Sequence, residues 1–245
     1  MRGFFNMDGP VWQALGRLAD LVILNLLFVI SCIPVVTIGA AATALYSVTL
    51  KMVRDEESYI LKGYWKSFKE NFKQSTIMWL VMLVIGIVLY VDFQVVGSMT
   101  ASASKIYLVL LLAISLILVM GLVYIFPLQA KFYNTIKGTI KNAFLMALAN
   151  LPYTAIIMVI TIGSVILTFL NGTTMYYGLL IWILAGFSII AHLNSRFFMK
   201  VFDPYIAKMQ TDNISASGDI SEEFSTVFKN LTPQELPEES EEENQ

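Results

Sequence analysis

The sequence predicts an all-α, polytopic transmembrane helical bundle of six helices with a break near Pro34, plus a basic amphipathic interfacial helix. Three observations carry the prediction. Apolar residues make up 57% of the chain and charged residues 14%, against roughly 45–50% and 25% in soluble domains. Asp20 and Lys51 are separated by thirty residues without a charge, and Asn142–Ser195 holds none in 54 residues. The basic residues gather in alternate connections, as they do when a chain is threaded with Lys and Arg kept on one side.

The formal charge of −2 hides an asymmetry. From Gly218 onward nine acids face one base, Lys229, whereas residues 1–217 hold fifteen bases and nine acids. The organisation expected is a transmembrane helical domain over 1–210 and a disordered acidic cytoplasmic tail over 211–245, rich in Ser, Glu and Pro. Cys32 is the lone cysteine, which excludes an intramolecular disulfide, and His192 is the lone histidine. No Cys/His set for a metal exists, and no cofactor is expected.

Met1–Gly16 mixes Phe4, Phe5, Trp12 and Leu15 with Asp8, Gly9 and Pro10, which suits a short interfacial segment with Pro10 at a helix start. Ala42-Thr43-Ala44 resembles a cleavage site, but the apolar run continues to Leu50, so a retained membrane segment is expected. Thirty uncharged residues exceed the ~20 that cross a bilayer core as one upright helix. Pro34 lacks the N–H of an unbroken helix and Gly39 is the least committed backbone in the run; a break at Pro34 would let Leu18–Leu50 cross twice, and a single crossing, giving five spans, stays the alternative. About 16 residues per arm reach only ~24 Å of a ~30 Å core. Starting near Val11 and ending near Val53 removes most of that deficit. Arg17 and Asp20, three apart on one helix face, are expected to pair at the membrane edge. Asn25, a further turn in, is read as an interhelical hydrogen-bonding residue.

Between Arg54 and Lys73 the residues Leu61, Trp65, Phe68 and Phe72 recur at helical spacing, with Lys62, Lys66, Lys69 and Lys73 one residue later. Such a helix lies in the interface, rings toward the acyl boundary and lysines toward anionic headgroups. Four apolar runs follow. Ser75–Val96 is interrupted by Asp92 and Gln94, and Ile106–Gln129 has no charge. The last two lie on either side of Asn171-Gly172-Thr173-Thr174, an evident turn, and the second runs from Tyr176 to about Phe198.

The segments Lys51–Lys73 and Lys131–Lys141 hold six and three bases, while Gly97–Lys105 holds one and the turn at Asn171 none. The rich segments therefore belong in the cytoplasm along with the C-terminus. With two crossings before Lys51 the amino end lies inside as well.

Met7-Asp8-Gly9-Pro10, Arg17-Leu18-Ala19-Asp20, Ile33-Pro34-Val35-Val36-Thr37-Ile38-Gly39-Ala40 and Val53-Arg54-Asp55-Glu56 together resemble the YesL family of bacterial integral membrane proteins. The resemblance covers about residues 1–205 and leaves the acidic tail uncovered. It implies location in a bacterial cell membrane. Members are often encoded beside genes for carbohydrate uptake and polysaccharide degradation, which implies a role near sugar import; the family has no assigned activity or catalytic residues.

Among chemistries, an intramembrane serine hydrolase would use Ser164 with His192, but Ile162 and Val165 flank Gly163-Ser164 without a glycine-rich oxyanion loop and no carboxylate stands near to orient the imidazole. No enzyme is expected. A primary transporter is excluded by the lack of a GxxxxGK[ST] loop. A secondary transporter wants paired broken helices and ionisable groups at mid-depth. Pro34 has only a faint counterpart in Asn150-Leu151-Pro152, and the polar candidates Arg17, Asp20, Asp92 and His192 lie toward the ends of their runs. The expected partners are the lipid bilayer and membrane subunits of a sugar importer, with no nucleic acid. Ala40/Ala44 and Ala143/Ala147, four apart, are expected to pack within the protein.

Overall fold

The computed structural model describes residues 10–56, 59–98 and 103–231; side chains are described for those residues except 10, 11, 103 and 212–231. Among the described residues the chain is all helix with no strand. Six helices are long and apolar enough to cross a membrane: Trp12–Ser31, Val35–Val53, Ile60–Ser98, Ser104–Lys131, Leu151–Thr168 and Gly172–Thr211.

The first charge-free stretch forms two helices. Helix α1 (Pro10–Ser31) starts on a proline, whose missing N–H costs nothing in a first turn. It ends before Pro34. A 3₁₀ turn (Val35–Thr37) then leads into α2 (Ile38–Val53). The Thr37 hydroxyl bonds the carbonyls of Ser31 (2.5 Å) and Pro34 (2.7 Å), supplying a partner to a helix end whose last carbonyls have none of their own. The break falls at Pro34, where it is expected. Gly39 lies inside α2 and serves packing: a Cβ there would stand 2.4 Å from the Ser75 carbonyl oxygen and 2.6 Å from the Trp79 Cβ.

That close approach joins α2 to α3 (Ile60–Ser98). Ala40, Ala41 and Ala44 are fully buried, Thr43 and Ser75 share a hydrogen bond of 2.8 Å, and the Trp79 indole donates to the Val35 carbonyl at 2.8 Å. Small side chains let helices approach closely enough for such bonds, the means of association open to helices in lipid.

Helix α3 corrects one expectation. The basic amphipathic segment is no separate interfacial helix; from Ile60 to Lys73 it is about the first third of one 39-residue helix. At 1.5 Å per residue α3 runs about 58 Å, nearly twice a ~30 Å hydrocarbon core. Nothing between Lys73 and Ser75 breaks a helix, so it continues straight from basic to apolar sequence. The inward face is Tyr64, Ser67, Ser75, Met78 and Met82, all buried, not the aromatic stripe.

Helix α4 (Ala103–Lys131) returns, and Gly121 gives it close contact with the Phe144 ring of α5. Helix α5 (Ile136–Ala149), N-capped by Thr135, starts in the basic segment with Lys137 and Lys141 and runs on into the charge-free stretch from Asn142. The chain breaks at Asn150 before α6 (Leu151–Thr168). There the Thr154 hydroxyl bonds the carbonyls of Ala147 (2.9 Å) and Asn150 (3.0 Å) and the Tyr124 hydroxyl (2.9 Å). The expected turn at Asn171 is a capping box with Thr174 opening α7 (Gly172–Ile181). A π-helical turn (Trp182–Gly186) joins α7 to α8 (Phe187–Leu231). Ala143 and Ala147 are fully buried within the bundle, like Ala40 and Ala44.

The chain divides into a compact unit ending at Val201 and a second beginning at Phe202. The expected boundary at 210–211 falls inside α8, whose backbone stays helical to Leu231, ahead of Pro233 and Pro237. The segment 211–231, expected to be disordered, is thus helical. Residues 232–245 of the expected acidic tail lie outside the described residues, as does Met7-Asp8-Gly9.

Candidate functional site

Polar side chains in the bundle fall into two groups. One joins helices to each other at depth. Asn25 of α1 donates to the carbonyls of Trp182 (3.0 Å) and Ile183 (2.7 Å), and its own carbonyl accepts from the Ser188 N–H (3.1 Å). A π turn shifts the ladder by one residue and leaves such groups short of partners; a single amide supplies three bonds. Ser188 adds a bond from its hydroxyl to the Leu21 carbonyl (2.7 Å), and the Trp182 indole donates to Thr168 (2.8 Å). Thr49 meets Ser195 at 2.9 Å, and the Asn194 amide donates to Thr161 at 2.9 Å.

The other group lines cavities at the end of the bundle that carries the basic connections. One, about 230 Å³, lies among α2, α3, the α2–α3 turn and the end of α4, bordered by Lys51, Lys66, Lys131, Glu56 and Glu70, and a more open groove of about 840 Å³ beside it shares Asn71 and Gln129 and adds Gln74 and Asn134. The floor of the first is an amide chain running through three helices. The Asn71 amide donates to the Ser67 carbonyl (3.0 Å), Gln129 donates to Asn71 (3.1 Å), and Thr139 donates to Gln129 (3.0 Å). The Gln74 amide donates to the Asn134 carbonyl at 2.5 Å. Three ammonium and two carboxylate groups around amides suit a small polar or zwitterionic solute better than an apolar one. The sequence reading passed over Asn71 and Gln129, although each stands where an apolar run meets a basic segment.

The second cavity, about 160 Å³, is lined by Arg17, Asp20, Met52, Asp55, Ile60 and His192. Arg17 does not pair with Asp20. Its guanidinium bonds Asp55 of the α2–α3 turn at 2.7 Å. Asp55 has φ of 55°, the one non-glycine positive φ among the described residues; aspartate tolerates this left-handed region better than most. His192 is 9% exposed and its Nδ1 has no hydrogen-bond partner.

The remaining candidates are dispersed. Lys62, Lys66, Lys69 and Lys73 are all exposed along α3. Leu61, Trp65 and Phe72 are exposed too, while Phe68 is half-buried against the cluster that contains Tyr64, Leu24, Phe28 and Ala44. The stripe thus divides between surface and core. Asp92 is half-buried on α3. Ser164 and His192 are not brought together: the Ser164 hydroxyl donates to the Thr161 carbonyl (2.8 Å) and borders a different, apolar cavity beside Thr168 and Trp182. Among the described residues no group of three or more His, Cys, Asp or Glu is placed to hold a metal ion. Cys32, between the first two spans, has its thiol pushed up to about 12 by burial.

Residues 21–93 match the family described as "Protein of unknown function, DUF624". The chain is 25% identical over 163 residues to the uncharacterised protein YteU of Bacillus subtilis strain 168, covering 66% of this chain and 73% of that protein. It is 22% identical over 162 residues to the uncharacterised protein YesL of the same organism, covering 66% and 76%. No solved structure matches. The matched segment contains α2, the α2–α3 turn with Asp55, and most of α3, so it holds much of both cavity walls. The family match and the two relatives agree with the resemblance carried by the blocks around Pro34 and Asp55: over these residues the chain is similar to YteU, to YesL and to a family of unknown function.

Proposed function

We propose that the protein is an accessory membrane component of carbohydrate uptake, acting through contact with other membrane subunits and not by moving solute itself. In this reading it crosses the bacterial cell membrane six times, with its basic connections and C-terminus in the cytoplasm. One observation carries it: four deep polar contacts join helices to each other. Asn25, Thr43–Ser75, Thr49–Ser195 and Tyr124–Thr154 each tie two helices together. A carrier needs polar groups at mid-depth free to exchange bonds with a solute. What the surface offers instead is the exposed lysine row of α3. The link to carbohydrate rests on the gene neighbourhoods that the family resemblance implies, which is association and not mechanism. Copurification in mild detergent with the permease subunits of a sugar importer tests the reading. Recovery of the chain alone, under conditions that keep the importer intact, would sink it.

A secondary transporter of a small solute such as a sugar is the second reading, and two breaks favour it. The chain is interrupted at Asn150 and again by the π turn at Trp182–Gly186, both in the half away from Pro34. Discontinuous helices in both halves are a mark of carriers. Saturable sugar binding by the isolated protein, followed by ion-driven uptake into liposomes, would select this reading.

A further inference from the structure

The cavity beside His192 holds a set of groups that none of the bonds above uses. His192 is nine-tenths buried and borders the cavity, with its Nδ1 unpartnered. Whichever tautomer the neutral ring adopts, a buried Nδ1 without a partner is costly, of order 1–3 kcal/mol. Asp20, half-buried on α1, borders the same space and makes no hydrogen bond or ion pair among the described residues. A lone carboxylate and a lone imidazole nitrogen therefore border one partly open cavity of about 160 Å³. Such a space has room for water to connect them.

The geometry points to this cavity as a proton-binding site in which His192 takes up a proton and Asp20 receives the resulting charge. The proton leaves a hydronium in the cavity water and forms a second N–H on the ring, leaving an imidazolium and a water molecule. Every charged group facing the ring enters the balance. From α1 come Asp20, which favours the proton, and Arg17, which opposes it. From the α2–α3 turn comes Asp55, already bonded to Arg17 at 2.7 Å and so offsetting it. From α8 itself comes Arg196, one turn on and exposed, which opposes it. Burial of the ring, Arg196 and Arg17 oppose the charge, the last of these offset by its bond to Asp55; Asp20 is the carboxylate bordering the cavity that is left to favour an imidazolium.

The site is also connected. Arg17–Asp55 ties α1 to the turn before α3, and Asp55 holds that bond from a left-handed backbone conformation. Proton uptake thereby places a positive charge on the cavity that also borders the one ion pair joining α1 to that turn among the described residues. The inference does not depend on which functional reading holds.

His192 is the only histidine, so ring-labelled protein gives a single imidazole signal. The experiment uses full-length protein in phosphatidylcholine nanodiscs, with ¹⁵N/¹³C-histidine resonances followed from pH 4.5 to 8.5. A single titration is expected. Asp20→Asn should weaken proton binding about threefold or more, moving the midpoint to lower pH, and Arg17→Gln should move it the other way. Asp20→Glu keeps the carboxylate and should keep the midpoint near that of the parent, which separates loss of charge from loss of fold. A ring that does not titrate in this window, or a midpoint that Asp20→Asn leaves unmoved in folded protein, would overturn the proposal.

Discussion

The Asn25 side chain holds the π turn of the last span, bonding the carbonyls of Trp182 and Ile183 and the N–H of Ser188. An interhelical bond in membranes averages only ~0.6 kcal/mol, because the separated helices find other partners. Here three bonds and the groups of a π turn depend on one amide, so Asn25→Leu should cost about 1–3 kcal/mol. Thermal unfolding in detergent checks this. A melting temperature equal to that of the parent would mean that the π turn relaxes to ordinary α-helix without loss.

This relationship also shows where sequence reading stops. Asn25 was legible as an interhelical residue because an amide amid Leu, Ile and Val has few other uses. The π turn was not, since Trp182-Ile183-Leu184-Ala185-Gly186 is apolar throughout and a one-residue shift leaves hydropathy unchanged. Pro34 announced its break by lacking an N–H. The break at Asn150 was masked by a 54-residue run without charge, into which the second half of α5 extends. The Arg17–Asp55 bond spans 38 residues, beyond any helical periodicity, whereas the Arg17–Asp20 spacing suggested a local pair. In α3 the eye follows the aromatic stripe, but helices in lipid gain by approaching closely, and Ser67 and Ser75 permit that.

Gly39→Ala tests the α2–α3 contact. The added methyl would meet the Ser75 carbonyl oxygen at 2.4 Å, and backbone cannot swing aside as a side chain does. Separation of the helices should cost about 1–3 kcal/mol. Gly86→Ala, with nothing within 4 Å of the new atom, should be neutral or slightly stabilising, since alanine favours helix by up to ~1 kcal/mol. Denaturation of the two variants in parallel reads the difference; equal stability would show that α2 and α3 can part without penalty.

The Cys32 thiol, pushed up from 9.0 to about 12, should alkylate slowly. The thiolate is the reacting form, and the shift lowers its fraction about a thousandfold at any pH below 9. The rate with a maleimide should therefore rise about tenfold per pH unit from 7 to 10 without levelling. In denaturing detergent it should level near pH 9. A plateau near pH 9 in the folded protein would show that the thiol is not desolvated.

The lysine row of α3 should select anionic lipid. Lys62, Lys66, Lys69 and Lys73 are exposed on the part of a ~58 Å helix that a ~30 Å core cannot cover. Each lysine near an anionic surface contributes about 1 kcal/mol, screened by salt. Replacing all four with glutamine should lower the anionic lipid retained through purification more than tenfold at low salt. Native mass spectrometry counts the bound lipid, and retention unchanged by the substitutions would assign the row to something other than headgroups.

Orientation follows from the number of crossings before Lys51. Helices α1 and α2 are separate, joined through Pro34, and each is long and apolar enough to cross a membrane. In the proposed reading both cross, so the amino end and the first basic connection share a side, which the positive-inside rule predicts to be the cytoplasm. In a Cys32→Ser background, Lys105→Cys and Gly172→Cys should react with an impermeant maleimide in intact cells. Lys66→Cys and Lys137→Cys, both at exposed positions, should react only after the membrane is opened. The pattern distinguishes two failures. A full reversal would mean that the lysines do not set the orientation. A tag at Met1 reached from outside, with Lys66→Cys still protected, would mean that α1 and α2 cross only once between them.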